Sequence, residues 1–336
     1  MFVRLTEVTN RTFVLPLVVF YPTSQCNSRC LSCDWWKRSG ESDLTLDEIE
    51  SVAAELPALG TKLVVFSGGE PLLRPEVFDA ARLFRARGLA LHLLTSGVLL
   101  ERFAPQVSAL FSRVVVSLDA TSDVLYHHVR GVAALTTVEH GIARLRSLAP
   151  GIPVTARSTL HRANFRELPA LIDRARALGL DGISFLPADV SSSAFGREHV
   201  PDASRLMLAG DDIAELEALV ERTVADHAGD FASGFVAESP EKLRRLPRYY
   251  AALAGQGDFP PVRCNAPFVS VVVEADGSVR PCFFHEPIGN VRRAPLGQIV
   301  AHDLPAFRHS LDMSTHPTCR RCVCSMSAGW RRAPWQ

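Results

Sequence analysis

Eight cysteines occur in this chain, and the spacing of the first three is the most specific chemical signal in the sequence. Cys26, Cys30 and Cys33 form a C-x3-C-x2-C pattern. Three thiolates from one loop can bind three irons of a cubane iron–sulfur cluster, which leaves the fourth iron open to a substrate or cofactor. The alternative is a zinc site that pairs Cys30 and Cys33 with Cys319 and Cys322, but it leaves Cys26 unexplained.

The elements that position these cysteines alternate regularly along the chain. Short β-branched runs alternate with amphipathic stretches, which is typical of parallel βα units. Helices are predicted between the strands: from the Thr45 cap to Leu59, then Glu76 to Arg87, Leu99 to Leu110, Thr136 to Leu148, and Phe165 to Leu178. The predicted strands are Leu15 to Tyr21, Lys62 to Ser67, Ala90 to Thr95, Arg113 to Leu118, Pro153 to Thr159, and Gly182 to Leu186.

Six βα units joined by right-handed crossovers predict an α/β fold, an open partial (β/α)6 barrel with its functional loops at the carboxyl ends of the strands. An open doubly wound sheet has the same pattern and is the alternative. Polar motifs follow the first four strands in turn. They are the cysteine loop, Gly68-Gly69-Glu70, Thr95-Ser96-Gly97, and Ser117 with Asp119.

These motifs, in this order, resemble the radical S-adenosylmethionine (radical SAM) superfamily over roughly residues 15 to 186. The resemblance implies a 4Fe-4S cluster on Cys26, Cys30 and Cys33 whose open iron binds SAM. It also implies reductive cleavage of SAM to methionine and a 5'-deoxyadenosyl radical. A flavodoxin or ferredoxin-type reductant is the expected electron donor.

The same resemblance assigns further residues to the SAM site. Gly68 and Gly69 let the backbone approach a ligand closely, and Glu70 is expected to accept a charge-assisted hydrogen bond from the SAM ammonium. Arginines near strand ends can bind carboxylates bidentately, although a solvated face is the alternative for each. The remaining candidates for SAM or substrate binding are Ser96, Ser117, Asp119, Arg130 and Arg157.

The later cysteines resemble the auxiliary-cluster "twitch" module, a short form of the SPASM extension of radical SAM enzymes. Cys264 and Cys282 flank a hairpin signal, and Cys319 and Cys322 form a C-x2-C pair. The resemblance implies a second 4Fe-4S cluster on these four thiolates, and a four-cysteine zinc site is the alternative. Cys324 is left over; it is a spare ligand, a small buried residue or a hydrogen-atom donor to a substrate radical.

We predict three regions: a radical SAM core over residues 1–190, a helical connection over 191–262, and a small α+β auxiliary-cluster domain over 263–336. The connection contains predicted helices from Asp211 to His227 and from Pro240 to Ala254. In the last region Asp276-Gly277 indicates a β-hairpin between strands Phe268 to Glu274 and Ser278 to Phe283, before a helix near Leu296 to Leu311.

The composition excludes a disordered chain, because 47% of the 336 residues are hydrophobic. Thirty-six basic residues balance 36 acidic ones, so there is no overall field to attract nucleic acid or an anionic membrane. The first residues lack the apolar core of a signal peptide, which predicts a reducing, cytoplasmic location. None of the 11 histidines is assigned as a ligand.

The predicted function is abstraction of a hydrogen atom from a C–H bond of a bound substrate. An electron passed to the second cluster would make the reaction an oxidation, while a rearrangement, epimerisation or decarboxylation would be redox-neutral. Only 25 residues precede Cys26, which leaves no room there for a peptide-recognition domain. We therefore expect a small polar metabolite of the sugar, aminocyclitol or nucleoside type. The alternatives are modification of a ribosomally made peptide and a non-catalytic iron–sulfur or zinc scaffold.

Overall fold

The computed structural model describes residues 2–199, 203–324 and 326. Nine strands form one sheet in the order β6-β5-β4-β3-β2-β1-β7-β8-β9. The strands are β1 Leu17–Phe20, β2 Leu63–Phe66, β3 Ala90–Thr95, β4 Arg113–Ser117, β5 Val154–Leu160, β6 Gly182–Pro187, β7 Ser270–Val273, β8 Ser278–Arg280 and β9 Gly289–Asn290.

The first six strands are parallel and in sequential order, which confirms the predicted open partial barrel. The hairpin of β7 and β8 is confirmed as antiparallel. The sequence pattern did not indicate that β7 pairs in parallel with β1, with Val18 opposite Val271. All four residues of β7 are buried, as expected for a strand covered on both faces.

Helices occupy the predicted positions between the strands, and the helix at Thr45 has its capping box. The predicted helix from Pro240 is two helices, and α5 was not predicted. The helices are α1 Phe2–Thr9, α2 Leu46–Glu55, α3 Val77–Arg85, α4 Leu100–Leu110, α5 Asp123–Arg130, α6 Leu135–Leu148, α7 Leu168–Ala177, α8 Asp211–Asp226, α9 Ala228–Ser233, α10 Pro240–Leu243, α11 Arg245–Leu253, α12 Ala266–Val269, α13 Leu296–Ser310 and α14 Pro317–Arg320.

The main core lies between the sheet and its helices. Phe20 and Phe66 on neighbouring strands contact Phe84 of α3 with ring centroids 5.2 and 5.7 Å away, and all three rings are fully buried. Each such ring stabilises the fold by about 1.5 to 3 kcal/mol. The opposite face of the sheet carries a second, smaller core that includes Val19 and Tyr21 and packs against the cysteine loop.

The predicted domain boundaries near residues 190 and 262 stay predictions. Strands from both sides of these boundaries, β1 and β7, are neighbours in one sheet. Among the helices within the described residues, none combines the length and apolar character that crossing a membrane requires.

Candidate functional site

The first three cysteines lie in one loop between β1 and α2, at the carboxyl edge of the sheet. We call residues 26–33 the first thiol loop. Asp43 fixes its start, since its carboxylate accepts hydrogen bonds from the hydroxyls of Thr23 at 2.6 Å and Ser24 at 2.7 Å. The three cysteines of the loop are free and partly buried, so their sulfur atoms are available as metal ligands.

Burial dominates the electrostatics of this loop. Burial raises the pKa of Cys26 to about 11 and that of Cys33 to about 12. Burial also raises the pKa of Cys30, and the Arg130 guanidinium opposes that rise. Three bare thiolates would repel each other in this environment, whereas iron ions neutralise their charge. The donor set therefore fits an iron–sulfur cluster.

The two glycines after β2 are required by close contact with the thiol loop. A Cβ atom on Gly69 would lie 2.0 Å from the carbonyl oxygen of Gln25. Gly68 adopts a φ of +98°, which disfavours any residue with a side chain. The Glu70 amide donates to the Gln25 carbonyl at 2.8 Å, so the turn lies directly against the backbone that enters the loop at Cys26.

Glu70 is fully buried and holds the ends of β2 and β3 together. One carboxylate oxygen accepts hydrogen bonds from the Leu72 amide at 3.0 Å and the Thr95 hydroxyl at 2.8 Å. The other accepts from the Ser96 amide at 2.6 Å. The predicted contact between this carboxylate and the SAM ammonium stays a prediction, and Glu70 has a structural role that the sequence did not indicate.

Asp119 and Arg130 form a buried ion pair at the end of β4. The Arg130 Nη1 atom lies 3.0 Å from Asp119, whose second oxygen accepts from the Thr159 amide at 2.7 Å. The Nε atom of Arg130 is buried and has no hydrogen-bond partner among the described residues. A buried guanidinium with an unused N–H fits a carboxylate ligand such as that of SAM.

Ser117 and Arg157 are neighbours on one face of the sheet. They are opposite each other in the register of β4 and β5, and Arg157 is opposite Ser184 of β6. The Arg157 Nε atom donates to the Ser184 hydroxyl at 3.1 Å. We call these three residues the polar row. They alternate with fully buried residues of the main core, so the row lies on the concave face of the partial barrel.

Helix α5, which was not predicted, holds the first thiol loop on one side. The amides of Arg29 and Leu31 donate to the last carbonyls of this helix, those of Arg130 and Val129, at 2.8 and 3.0 Å. A Cβ atom on Gly131 would lie 2.5 Å from the Arg29 carbonyl oxygen. The sequence contained the cap signals of α5, a serine before its first residue and a glycine after its last.

Residues 189–198, which follow β6, hold the first thiol loop on the other side. Arg197 pairs with Asp189 at 2.8 Å, and each side chain is 2% exposed. The same guanidinium donates to the Ser32 carbonyl at 2.6 Å. The Phe195 carbonyl accepts from the Asp34 amide at 2.9 Å. No sequence signal marked this stretch, which looks like an ordinary polar loop.

The 189–198 segment also contacts the second cysteine set. The ring of Phe195 packs edge-on against Phe284, two residues after Cys282, with centroids 5.9 Å apart. The Ser193 hydroxyl donates to Glu286 at 2.7 Å. One short segment therefore contacts the surroundings of both cysteine sets.

The second cysteine set gathers in one pocket. Burial raises the pKa of Cys282 to about 12 and that of Cys319 to about 11. Four thiols provide one ligand for each iron of a 4Fe-4S cluster, so this set fits a second iron–sulfur cluster. His285 also lines the pocket, although the sequence gave no reason to select it. The four cysteines of the pocket are Cys264, Cys282, Cys319 and Cys322.

Cys324 lies two residues after Cys322, the last cysteine of this pocket. Its carbonyl oxygen accepts a hydrogen bond from the Cys322 thiol at 2.6 Å. Burial raises the pKa of the Cys324 thiol, and the Arg157 guanidinium opposes that rise. The roles predicted for Cys324 and for the other site residues stay predictions.

Two family models match the chain, one over each cysteine set. Residues 20–175 match the model of the radical SAM superfamily, and residues 264–323 match the SPASM model, an iron–sulfur cluster-binding domain. The chain therefore belongs to the radical SAM superfamily and is a radical SAM enzyme with a C-terminal auxiliary-cluster domain. Its cofactors are SAM and 4Fe-4S clusters, as predicted.

Two curated relatives differ in how much of the chain they match. The PqqA peptide cyclase of Rhodopseudomonas palustris is 29% identical over 285 residues, which cover 82% of this chain and 70% of that protein. The AdoMet-dependent heme synthase of Methanosarcina barkeri is 30% identical over 171 residues, which cover 48% of each chain.

A solved structure has the same fold. Streptococcus suis SuiB bound to its precursor peptide SuiA superposes with a TM-score of 0.65, covering 96% of this chain and 74% of SuiB at 13% identity. At that identity the likeness establishes the fold alone.

The predicted small polar metabolite substrate is wrong. PqqA peptide cyclases match 82% and 89% of this chain, which favours the peptide alternative. The prediction took the chain length before Cys26 as a measure of peptide recognition. That length is a poor measure, because a peptide can bind along the open barrel or be presented by a separate protein.

Proposed function

We propose that this radical SAM enzyme modifies a ribosomally made peptide. The observation that supports the proposal is the 82% of the chain that matches a PqqA peptide cyclase, against the 48% that matches a heme synthase. A shared substrate class extends a match beyond the residues that bind SAM, because the walls around the substrate are then also similar.

Bound SAM supplies the 5'-deoxyadenosyl radical that abstracts a hydrogen atom from the peptide. In our proposal the first thiol loop holds the SAM-binding cluster, and the unused Nε–H of Arg130 binds the SAM carboxylate. The polar row lies on the concave face and orients the peptide backbone through hydrogen bonds.

We further propose a net two-electron oxidation of the peptide. Cys264, Cys282, Cys319 and Cys322 would hold a cluster that supplies an electron acceptor, so a peptide that gives up a hydrogen atom, then one electron and one proton, would have lost two hydrogen atoms in all. The clustering of Cys264, Cys282, Cys319 and Cys322 in one pocket supports an electron acceptor at that position. The flavodoxin or ferredoxin-type reductant and the cytoplasmic location stay predictions.

The test is co-expression with a precursor peptide encoded beside the gene, followed by mass spectrometry of the peptide. We expect a product lighter by two hydrogen atoms. The triple variant C26A/C30A/C33A is the control and should leave the peptide unchanged. A peptide unchanged in mass, while 5'-deoxyadenosine accumulates, would refute the oxidative proposal.

A further inference from the structure

A buried histidine contacts one of the thiols in the second cysteine pocket. The Nε2 atom of His285 lies 3.3 Å from the Sγ atom of Cys319. The histidine is 5% exposed and lines the pocket together with all four cysteines of the set. Its neighbour is therefore a sulfur atom rather than water.

The ring of His285 is held in place from several sides. It packs against the ring of His316 at 4.6 Å and edge-on against Phe307 at 4.9 Å. Its backbone carbonyl accepts from Arg280, which also pairs with Glu274 at 3.0 Å. A ring packed in this way cannot turn away from the sulfur without losing these contacts.

His316 has a different role from His285. Its Nδ1 atom accepts a hydrogen bond from the Thr318 amide at 3.2 Å, at the start of the short helix that carries Cys319. His316 therefore caps the helix that presents the thiol, while His285 faces the thiol itself. The two imidazoles support the same cysteine in different ways.

We propose that His285 is a positioning residue that donates a hydrogen bond to the Cys319 sulfur and sets the potential of the second cluster. The inference rests on the proposed assignment of Cys319 to that cluster. An iron-bound thiolate has no proton and can only accept, so Nε2 carries the hydrogen. Hydrogen bonds to the sulfurs are among the features that set cluster potentials, and outer partners of ligands are a general means of tuning.

The direction of the effect follows from charge. Reduction adds an electron to the cluster and makes its sulfur atoms more negative. A fixed N–H donor stabilises that reduced form more than the oxidised form. His285 therefore makes the second cluster easier to reduce and a better acceptor of the electron from the peptide radical.

Direct ligation by the imidazole is the competing arrangement, because His285, His316 and Cys319 place three ligand atoms within 4.8 Å of one another. One observation favours the donor role: the four thiols of the pocket already provide one ligand for each iron of a 4Fe-4S cluster.

The test uses the full chain carrying C26A/C30A/C33A, so that iron is bound only at the second site. A redox titration followed by electron paramagnetic resonance compares His285→Phe, His285→Gln and, as control, His302→Phe at an exposed position on α13. We expect a more negative midpoint potential for H285F, a smaller shift for H285Q, which keeps an N–H group, and no shift for H302F.

An unchanged potential in H285F with its iron retained would overturn the proposal. If H285F loses its iron, the test is made on protein with His285 intact and labelled with 15N-histidine. The coupling between its second cluster and histidine nitrogen is then measured by electron paramagnetic resonance. A weak coupling to histidine nitrogen supports the hydrogen bond, whereas a strong coupling means ligation and no coupling means no contact, and either overturns it. Zinc in place of iron, or no metal at all before His285 is changed, refutes the cluster assignment in the proposed function instead.

Discussion

At the scale of single residues, Glu70 has a structural role that its motif did not indicate. Its two oxygens accept from the backbone amides of Leu72 and Ser96 and from the Thr95 hydroxyl, and its side chain is fully buried. A glutamate suits this position because both oxygens accept hydrogen bonds. The turn after β2 and the turn after β3 are therefore connected through one side chain.

Replacing Glu70 by glutamine should destabilise the fold as well as weaken SAM binding. The new NH2 group would face an N–H donor, so we expect a loss of about 1 to 3 kcal/mol in the free energy of unfolding. Urea unfolding and SAM titration calorimetry measure the two effects. Glu76→Gln, at a half-exposed ion pair with Arg74, is the control and should change stability by less than about 1 kcal/mol. Equal stabilities would contradict the hydrogen bonds described for Glu70.

Replacing Cys324 by alanine tests whether its thiol donates a hydrogen atom to the peptide radical. Because the oxidative proposal needs no such donor, we expect C324A to keep peptide turnover, SAM cleavage and its iron content. The assay is run in deuterated water with mass spectrometry of the peptide. Solvent deuterium in the wild-type product, together with lost turnover but retained SAM cleavage in C324A, would instead assign the donor role and a redox-neutral reaction.

At the scale of elements, the strands and most helices could be predicted from the sequence, but the supports of the first thiol loop could not. Strand periodicity is a local signal, and so is the capping box at Thr45. The hydrogen bond from Arg197 to the Ser32 carbonyl joins residues far apart in the chain, and no local pattern encodes such a contact. The parallel pairing of β7 with β1 escaped prediction for the same reason.

Gly69→Ala should prevent assembly of the first cluster. The new Cβ atom would lie 2.0 Å from the Gln25 carbonyl oxygen, so the turn or the loop must move. Iron content after reconstitution should fall by about half, because the second cluster has its own ligands. The matched control is Gly151→Ala, where a Cβ atom meets nothing within 4 Å. Full iron content in G69A would show that the close approach is not needed.

Arg197→Met should loosen the first thiol loop. Loss of the guanidinium leaves Asp189 buried without its partner, which costs about 3 to 5 kcal/mol. Urea unfolding should show that loss, and iron should leave the first cluster faster in the presence of a chelator. As a control, Arg82→Met removes an exposed pair with Asp79 and should cost less than about 1 kcal/mol. A chelation rate equal to that of the wild type would mean that the 189–198 segment does not support the cluster.

At the scale of the whole molecule, one open sheet brings two distant cysteine sets to the same region. The first set follows β1, and the second lies around the hairpin that extends the sheet on the other side of β1. The cofactors and the superfamily were predictable, because thiol spacing is a direct requirement of iron chemistry. The substrate was not, because its recognition depends on the shape of the concave face, which no motif describes.

The central claim is that a peptide supplies the hydrogen atom abstracted by the SAM-derived radical. The most direct measurement is deuterium transfer into 5'-deoxyadenosine from a fully deuterated precursor peptide, with reconstituted enzyme, SAM and dithionite. We predict deuterated 5'-deoxyadenosine that increases with peptide concentration and is absent from C26A/C30A/C33A. Rapid formation of 5'-deoxyadenosine without deuterium, at saturating labelled peptide, would contradict the claim.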